Sequence, residues 1–278
     1  MVAVEGKAGG YLIARLREAG IPPPRMGVVL GSGLGEAAPG LDDALEIDCR
    51  DVPGWPPCGV PGHAGVLRFG RRSDTGLLVQ SGRVHYYEGY DMEAVTFPVR
   101  VMASLGVEKT FMANAAGALN PVYERGCMML VRDHINLMGV NPLRGVSDGE
   151  GNPAFLDVSN LYDERTGDEL LERSKASGWP MEGGTLVAVS GPTFETGAEL
   201  RYMRLVGGDA VSMSLVPEAL MAHHMGMSIT AVSLITNVWD LRKPHSISHR
   251  DVLKTAVEAA PMLRGIIASW IELQGLAG

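Results

Sequence analysis

The chain has 278 residues, of which 46% are apolar and 20% charged, and its formal net charge is −8. That content suits one large domain or two small ones, and no stretch is polar enough to stay disordered. No basic run is present, which argues against a nucleic-acid binder held by phosphate contacts; an anionic substrate must be drawn in by local Arg and His against the global field.

In chain order, Tyr11 to Ala19 read as a short amphipathic helix, and the N-terminus lacks the long apolar core of a signal peptide. Apolar runs suited to buried strands follow at 26–30, 76–80, 109–114, 185–190 and 229–235. Met92, Val95, Val99 and Met102 keep helical spacing, with Pro98 expected to kink that helix. From Val252 through Ala256, Ala259, Leu263, Ile266 and Trp270 to Leu273, a 4-3 repeat predicts a long helix with one buried stripe, started near Ser246–Ser248. The alternation implies an α/β fold with a parallel or mixed sheet. It continues on both sides of the Gly/Pro-rich stretch 139–155, so that stretch reads as a long functional loop within one domain, 1–278, rather than a linker. No apolar run reaches the roughly 18 residues of a membrane span. Cys49, Cys58 and Cys127 form no C-x-x-C pair, so a soluble, cytoplasmic protein without a zinc site or disulfide framework is expected.

The first strand runs into Gly31, Ser32, Gly33 and Gly35. A dinucleotide fingerprint needs its third glycine one place later, where Glu36 stands, and Pro39–Gly40 interrupt the helix it should open. Asp48 or Asp51 could still pose as the ribose-binding acid. A nucleotide P-loop needs a Gly-Lys-Ser/Thr ending that the loop lacks. A small anion held by backbone N–H groups and Ser32 remains, beside the plainer reading of a tight turn. Two other stretches favour the anion. Arg83 and His85 stand two apart at a strand end, on the same side if extended, and His63 lies in a Gly/Pro turn.

The segments VVLGSGLG, VPGHAG, SGRVHYYEGY, NAAGALN, DHINLMGVNPLRG, VSGPTFET, DAVSMSLVPEAL and SLITN, in this order from about residue 26 to 253, resemble the trimeric class of purine nucleoside phosphorylases. The resemblance implies a single domain with a mixed, barrel-like sheet flanked by helices, assembled as a homotrimer. It implies phosphate binding by Ser32, His63, Arg83, His85, the backbone of Ala115 and Ser214. Ribose would lie against Tyr87, Phe194 and Met213, with His249 at the 5′-hydroxyl, and a neighbouring subunit would lend an aromatic residue, for which Phe155 is the candidate. Glu195 and Asn237 would read the purine, and His85, Glu195 and Asn237 would carry the catalysis. The implied reaction is phosphorolysis of a purine nucleoside, with inorganic phosphate as co-substrate and no metal or organic cofactor.

Chemistry sharpens this expectation. An oxocarbenium-like transition state at C1′ is stabilised by phosphate, which is also the nucleophile. Asn237 can meet N7 and the 6-oxo group of the departing purine together. An ionised Glu195 accepts only, which matches N1–H of hypoxanthine or guanine and opposes adenine. Plainer readings stand beside these: Glu195 as a helix-start residue, Met213 and Phe194 as core, His223 and His224 as structural, and only one of Tyr86 and Tyr87 facing a site. The chain departs from the family at 238–245, where Trp239 could reshape the base pocket and Asp240 keeps 6-aminopurines open. Ala118 replaces a frequent glycine, harmlessly if φ stays negative. The alternatives are a methylthioadenosine or methylthioinosine phosphorylase and a non-catalytic nucleoside-binding homologue.

Overall fold

All five apolar runs form strands, and the computed structural model, which describes residues 2–59, 65–72, 75–148, 150–239 and 248–275, contains four further ones. In order the elements are α1 (Val2–Glu18), β1 (Met26–Leu30), β2 (Asp42–Asp48), β3 (Val66–Arg72), β4 (Thr75–Ser81), α2 (Met92–Ser104), β5 (Lys109–Ala118) and β6 (Met128–Asn136). Then come α3 (Glu164–Ala176), β7 (Met181–Ala188), α4 (Gly197–Leu205), β8 (Ala210–Ser212), α5 (Val216–His224), β9 (Ser228–Val238) and α6 (His249–Gly275).

The strands form one mixed sheet in the order β2-β3-β4-β1-β5-β8-β7-β6-β9, and β9 also pairs with β5. The last part therefore closes on itself as a barrel of β5, β8, β7, β6 and β9, while β1 to β4 extend from it as an open wing. β1 runs parallel to both β4 and β5, and β5 parallel to β9; β2–β3, β3–β4, β5–β8 and β6–β9 are antiparallel. All five residues of β1 are buried, as a parallel strand covered on both faces requires. Its side chains alternate between two cores. Val29 packs in the core that holds Leu12, Leu16 and Met102 of α1 and α2, whereas Val28 and Leu30 pack in the one that holds Leu263, Ile266 and Trp270 of α6.

The expected stripe of α6 is buried from Ala256 to Leu273, and Val252 at its start is half-buried. Ser248 caps the helix, its Oγ accepting from Asp251 N–H at 3.3 Å. α1 begins well before the expected Tyr11. Gly9 and Gly10 depress helix propensity there, but Ala8, Leu12 and Leu16 form a buried i, i+4 row that packing rewards. β2 has no apolar alternation because it is the sheet edge. Its acidic residues face water and pair with β3, Glu46 with Arg68 at 2.7 Å and Asp43 with Arg71. In β6, Arg132, Asp133 and His134 break the apolar run, and β8 is only three residues long.

Candidate active site

The glycine loop does not open a full helix. After β1 it makes one 3-10 turn, Leu34–Ala37, which rules out the dinucleotide geometry. Gly33 has φ 72°, and a Cβ there would lie 2.9 Å from Ala256 Cβ and 3.0 Å from Leu253 Cδ2, so α6 seats directly on the loop. Beside this loop the C-terminal ends of β1 and β5 and the segments after β4, β7 and β8 surround a cavity of about 270 Å³.

Ten of the expected residues line it: Ser32, His85, Tyr87, Ala115, Phe194, Glu195, Met213, Ser214, Asn237 and His249. Three do not. Arg83 is 1% exposed and lies beneath the wall, its Nη1 donating to Ser214 Oγ at 3.3 Å and its Nη2 to the Ala113 carbonyl at 2.9 Å. Phe155 is 92% exposed, outside the cavity of its own chain. His63 lies outside the described residues, as does Asp240.

His85 is 4% exposed and stacks on Tyr87 with ring centroids 4.6 Å apart. Burial pushes its imidazole down to about 3, with the charges of Arg83 and His249 acting in the same direction. The ring is therefore neutral, and Glu88 Oε1, 2.8 Å from Nδ1, fixes the tautomer by accepting that N–H. Nε2 is left as an acceptor. Burial also pushes the Tyr87 hydroxyl up to about 12, so it stays protonated.

Across the cavity, Ser214 precedes an unusual turn. Leu215 has φ 76° and ψ −52°, and Val216 N–H donates to Ser214 O at 3.0 Å, which makes a γ-turn of the rarer positive-φ kind. Such a backbone at a fully buried Leu stores about 1–3 kcal/mol of strain. Ser212 and Asn114 extend the network: Asn114 Nδ2 donates to Ser212 Oγ at 2.7 Å, and Ser233 Oγ donates to Asn114 Oδ1 at 2.7 Å.

At the other end, a β-bulge brings Asn237 into place. The β5–β9 register steps from Ala116↔Ile235 to Gly117↔Asn237, so Thr236 is the extra residue and both it and Asn237 face the cavity. Thr236 Oγ1 donates to Asn237 Oδ1 at 3.0 Å, which orients the carboxamide. A Cβ at Gly117 would fall 2.8 Å from Asn237 Nδ2 and push the carboxamide aside. Thr196 and Glu199 form the capping box of α4, with Glu199 Oε2 accepting Thr196 N–H at 2.7 Å. Glu195 is thus released from helix capping and lines the cavity, where burial pushes its carboxyl up.

The plainer readings resolve residue by residue. Met213 and Phe194 are cavity wall, not core. Tyr87 faces this cavity, and Tyr86 a separate groove beside Arg100 and Met221. His223 hydrogen-bonds the Asp157 carbonyl at 2.9 Å. Trp239 is not among the described residues that line the cavity and packs with Leu119, Val187, Leu200 and Met203. Ala118 lies in β5 without positive φ. Among the described residues no group of His, Cys, Asp and Glu has the arrangement of a metal site. Sequence reasoning missed Glu88, Asn114, Ser212, Glu218 and Thr236, of which only Glu88 left a local signal, its i+3 spacing from His85.

The chain matches the model of the phosphorylase superfamily over residues 25–272. It is 42% identical over 232 residues to purine nucleoside phosphorylase 1 of Geobacillus stearothermophilus, covering 84% of this chain and 85% of that one. Against the purine nucleoside phosphorylase of Mus musculus the identity is 41% over 256 residues, 90% and 89% of the two chains. The crystal structure of Schistosoma mansoni purine nucleoside phosphorylase in complex with adenosine superposes with a TM-score of 0.87 at 34% identity, covering 97% of this chain and 96% of that one.

Proposed function

Because this chain belongs to the phosphorylase superfamily, among its purine nucleoside phosphorylases, we propose that it catalyses the reversible phosphorolysis of 6-oxopurine ribo- and deoxyribonucleosides such as inosine and guanosine. One observation carries this reading: β5 serves as a ruler for the cavity. Arg83 is anchored at Ala113 and Asn237 stands at Gly117, four residues on, which at strand rise is about 13 Å. Phosphate, pentose and purine fit in that order along it.

At the Arg83 end, phosphate is held by Ser32, His85, Ser214 and the Ala115 N–H, with His63 as a further ligand. Arg83 beneath Ser214 supplies positive potential in a buried setting where it is weakly screened. Neutral His85 accepts a phosphate O–H through Nε2. The sugar lies against Tyr87, Phe194 and Met213, with its 5′-hydroxyl at His249. As the C1′–N9 bond breaks, its electron pair passes to the purine and a phosphate oxygen bonds to C1′. The proton that phosphate gives up on becoming the ester is matched by one that the purine takes from solvent at N7, where Asn237 Oδ1 accepts that hydrogen and Nδ2 donates to the 6-oxo group. Glu195 accepts N1–H. The products are free purine and ribose 1-phosphate, and no cofactor enters the scheme.

We further propose a homotrimer in which Phe155 completes a neighbouring cavity, and a cytoplasmic location. The exposure of Phe155 supports the first, and three free cysteines support the second. No helix among the described residues is long and apolar enough to cross a membrane.

A second reading, cleavage of adenine nucleosides or their methylthio analogues, draws on the upward push on Glu195, since a protonated carboxyl would donate to N1 of adenine. Purine release from inosine, guanosine, adenosine and methylthioadenosine, with and without phosphate, tests both. Phosphate-dependent release from the first two is expected. Equal rates on all four contradict the Glu195–Asn237 assignment, and binding without release contradicts catalysis.

A further inference from the structure

Glu218 is buried in the first turn of α5, 3% exposed, and touches two things at once. Its Oε2 accepts the Leu215 N–H at 3.1 Å, and its Oε1 stands 3.4 Å from Arg83 Nε. The same guanidinium donates through Nη1 to Ser214 Oγ, one residue before Leu215. One carboxylate thus ties the back of the Arg83 fork to the strained turn that presents the Ser214 hydroxyl. A buried guanidinium needs a compensating charge, and placing that charge on the Nε edge keeps Arg83 from turning its Nη groups away from the cavity. A positive-φ leucine persists only where its surroundings over-determine it, and the Glu218 acceptor is part of what holds it.

We propose that Glu218 is a positioning residue for phosphate, which sets the Arg83 guanidinium and the Ser214 hydroxyl in register from behind the cavity wall. The inference rests on the reading of this end of the cavity as the phosphate site. Glu218 does not line the cavity and has no contact with nucleoside in the scheme, so its effect falls on one co-substrate.

The test is a kinetic split. Glu218→Gln keeps the shape and an acceptor for Leu215 but removes the charge facing Arg83. Its KM for phosphate is expected to rise roughly tenfold, with KM for inosine within about twofold of the parent. Glu218→Asp keeps the charge with a shorter reach, and its phosphate KM is expected between the two; it also serves if the glutamine variant does not fold. A phosphate KM within about twofold of the parent in the variant that folds overturns the proposal, as does an equal rise in both KM values, which a merely structural role would give. If the parent enzyme releases purine without any dependence on phosphate, the site reading itself fails, an outcome distinct from either.

Discussion

The two ends of the cavity are built differently. At the Arg83 end the side chains are buried and tied to one another: Arg83, Glu218 and His85 are all under 5% exposed, and each has a hydrogen-bonded or ion-paired partner in another segment or on the next turn. At the Asn237 end Phe194 is 49% exposed, and Glu195 and Asn237 are half-buried. The Arg83 end is therefore part of the core, and its residues answer to stability as well as to any chemistry there. The Asn237 end is a rim whose residues carry less of the fold.

The sharpest way to break this contrast is Arg83→Ala. It strands the Glu218 carboxylate without its cation, so the fold should lose about 3–5 kcal/mol and the melting temperature should fall by roughly 10 °C, together with loss of phosphate affinity. Parental melting would place Arg83 outside the structural core. Asn237→Asp at the other end should melt like the parent, while kcat/KM for inosine falls about 10²–10³-fold and that for adenosine falls less. An unchanged inosine rate refutes the role given to the carboxamide.

A pH series sharpens the comparison further. His85 titrates at about 3 when folded against its ordinary 6.5, so between these values the unfolded chain binds a proton that the folded chain does not. Acid then erodes stability by up to about 1.4 kcal/mol per pH unit, fully absent above 6.5. His85→Gln should flatten the slope of unfolding free energy against pH by that amount between 3 and 6.5, as read by urea titrations. A parallel slope would mean that His85 is charged in the folded protein. The smallest effect is expected from Phe155→Ala, which should leave melting unchanged and raise the nucleoside KM by about fivefold, near 1 kcal/mol of lost apolar contact. An unaltered KM removes Phe155 from the sugar pocket.

Much of this arrangement is legible in the chain, for identifiable reasons. The stripe of α6 and the apolar runs of β1, β4, β5, β7 and β9 are local periodicities, and Ser32, Arg83 and His85 sit at strand ends that suit an anion, whereas Glu195 and Asn237 are reached only through the family resemblance. β2 escapes because an edge strand need not be apolar, and β6 because Arg132, Asp133 and His134 sit in its second half. The supporting polar residues escape for a different reason. Asn114 meets Ser212 and Ser233 across 98 and 119 positions, and Arg83 meets Ser214 across 131, so no window contains both partners. Thr236 is placed by a register step that only pairing with β5 reveals. Trp239 looked like a pocket residue from its neighbour Asn237, but the strand ends there and the indole turns into the α4 cluster.

The seating of Gly33 against Ala256 and Leu253 ties two distant parts of the chain together. The loop after β1 has one wall supplied by α6, with His249 and Val252 completing the same chamber. A fragment ending before His249 lacks that wall, however completely its sheet forms.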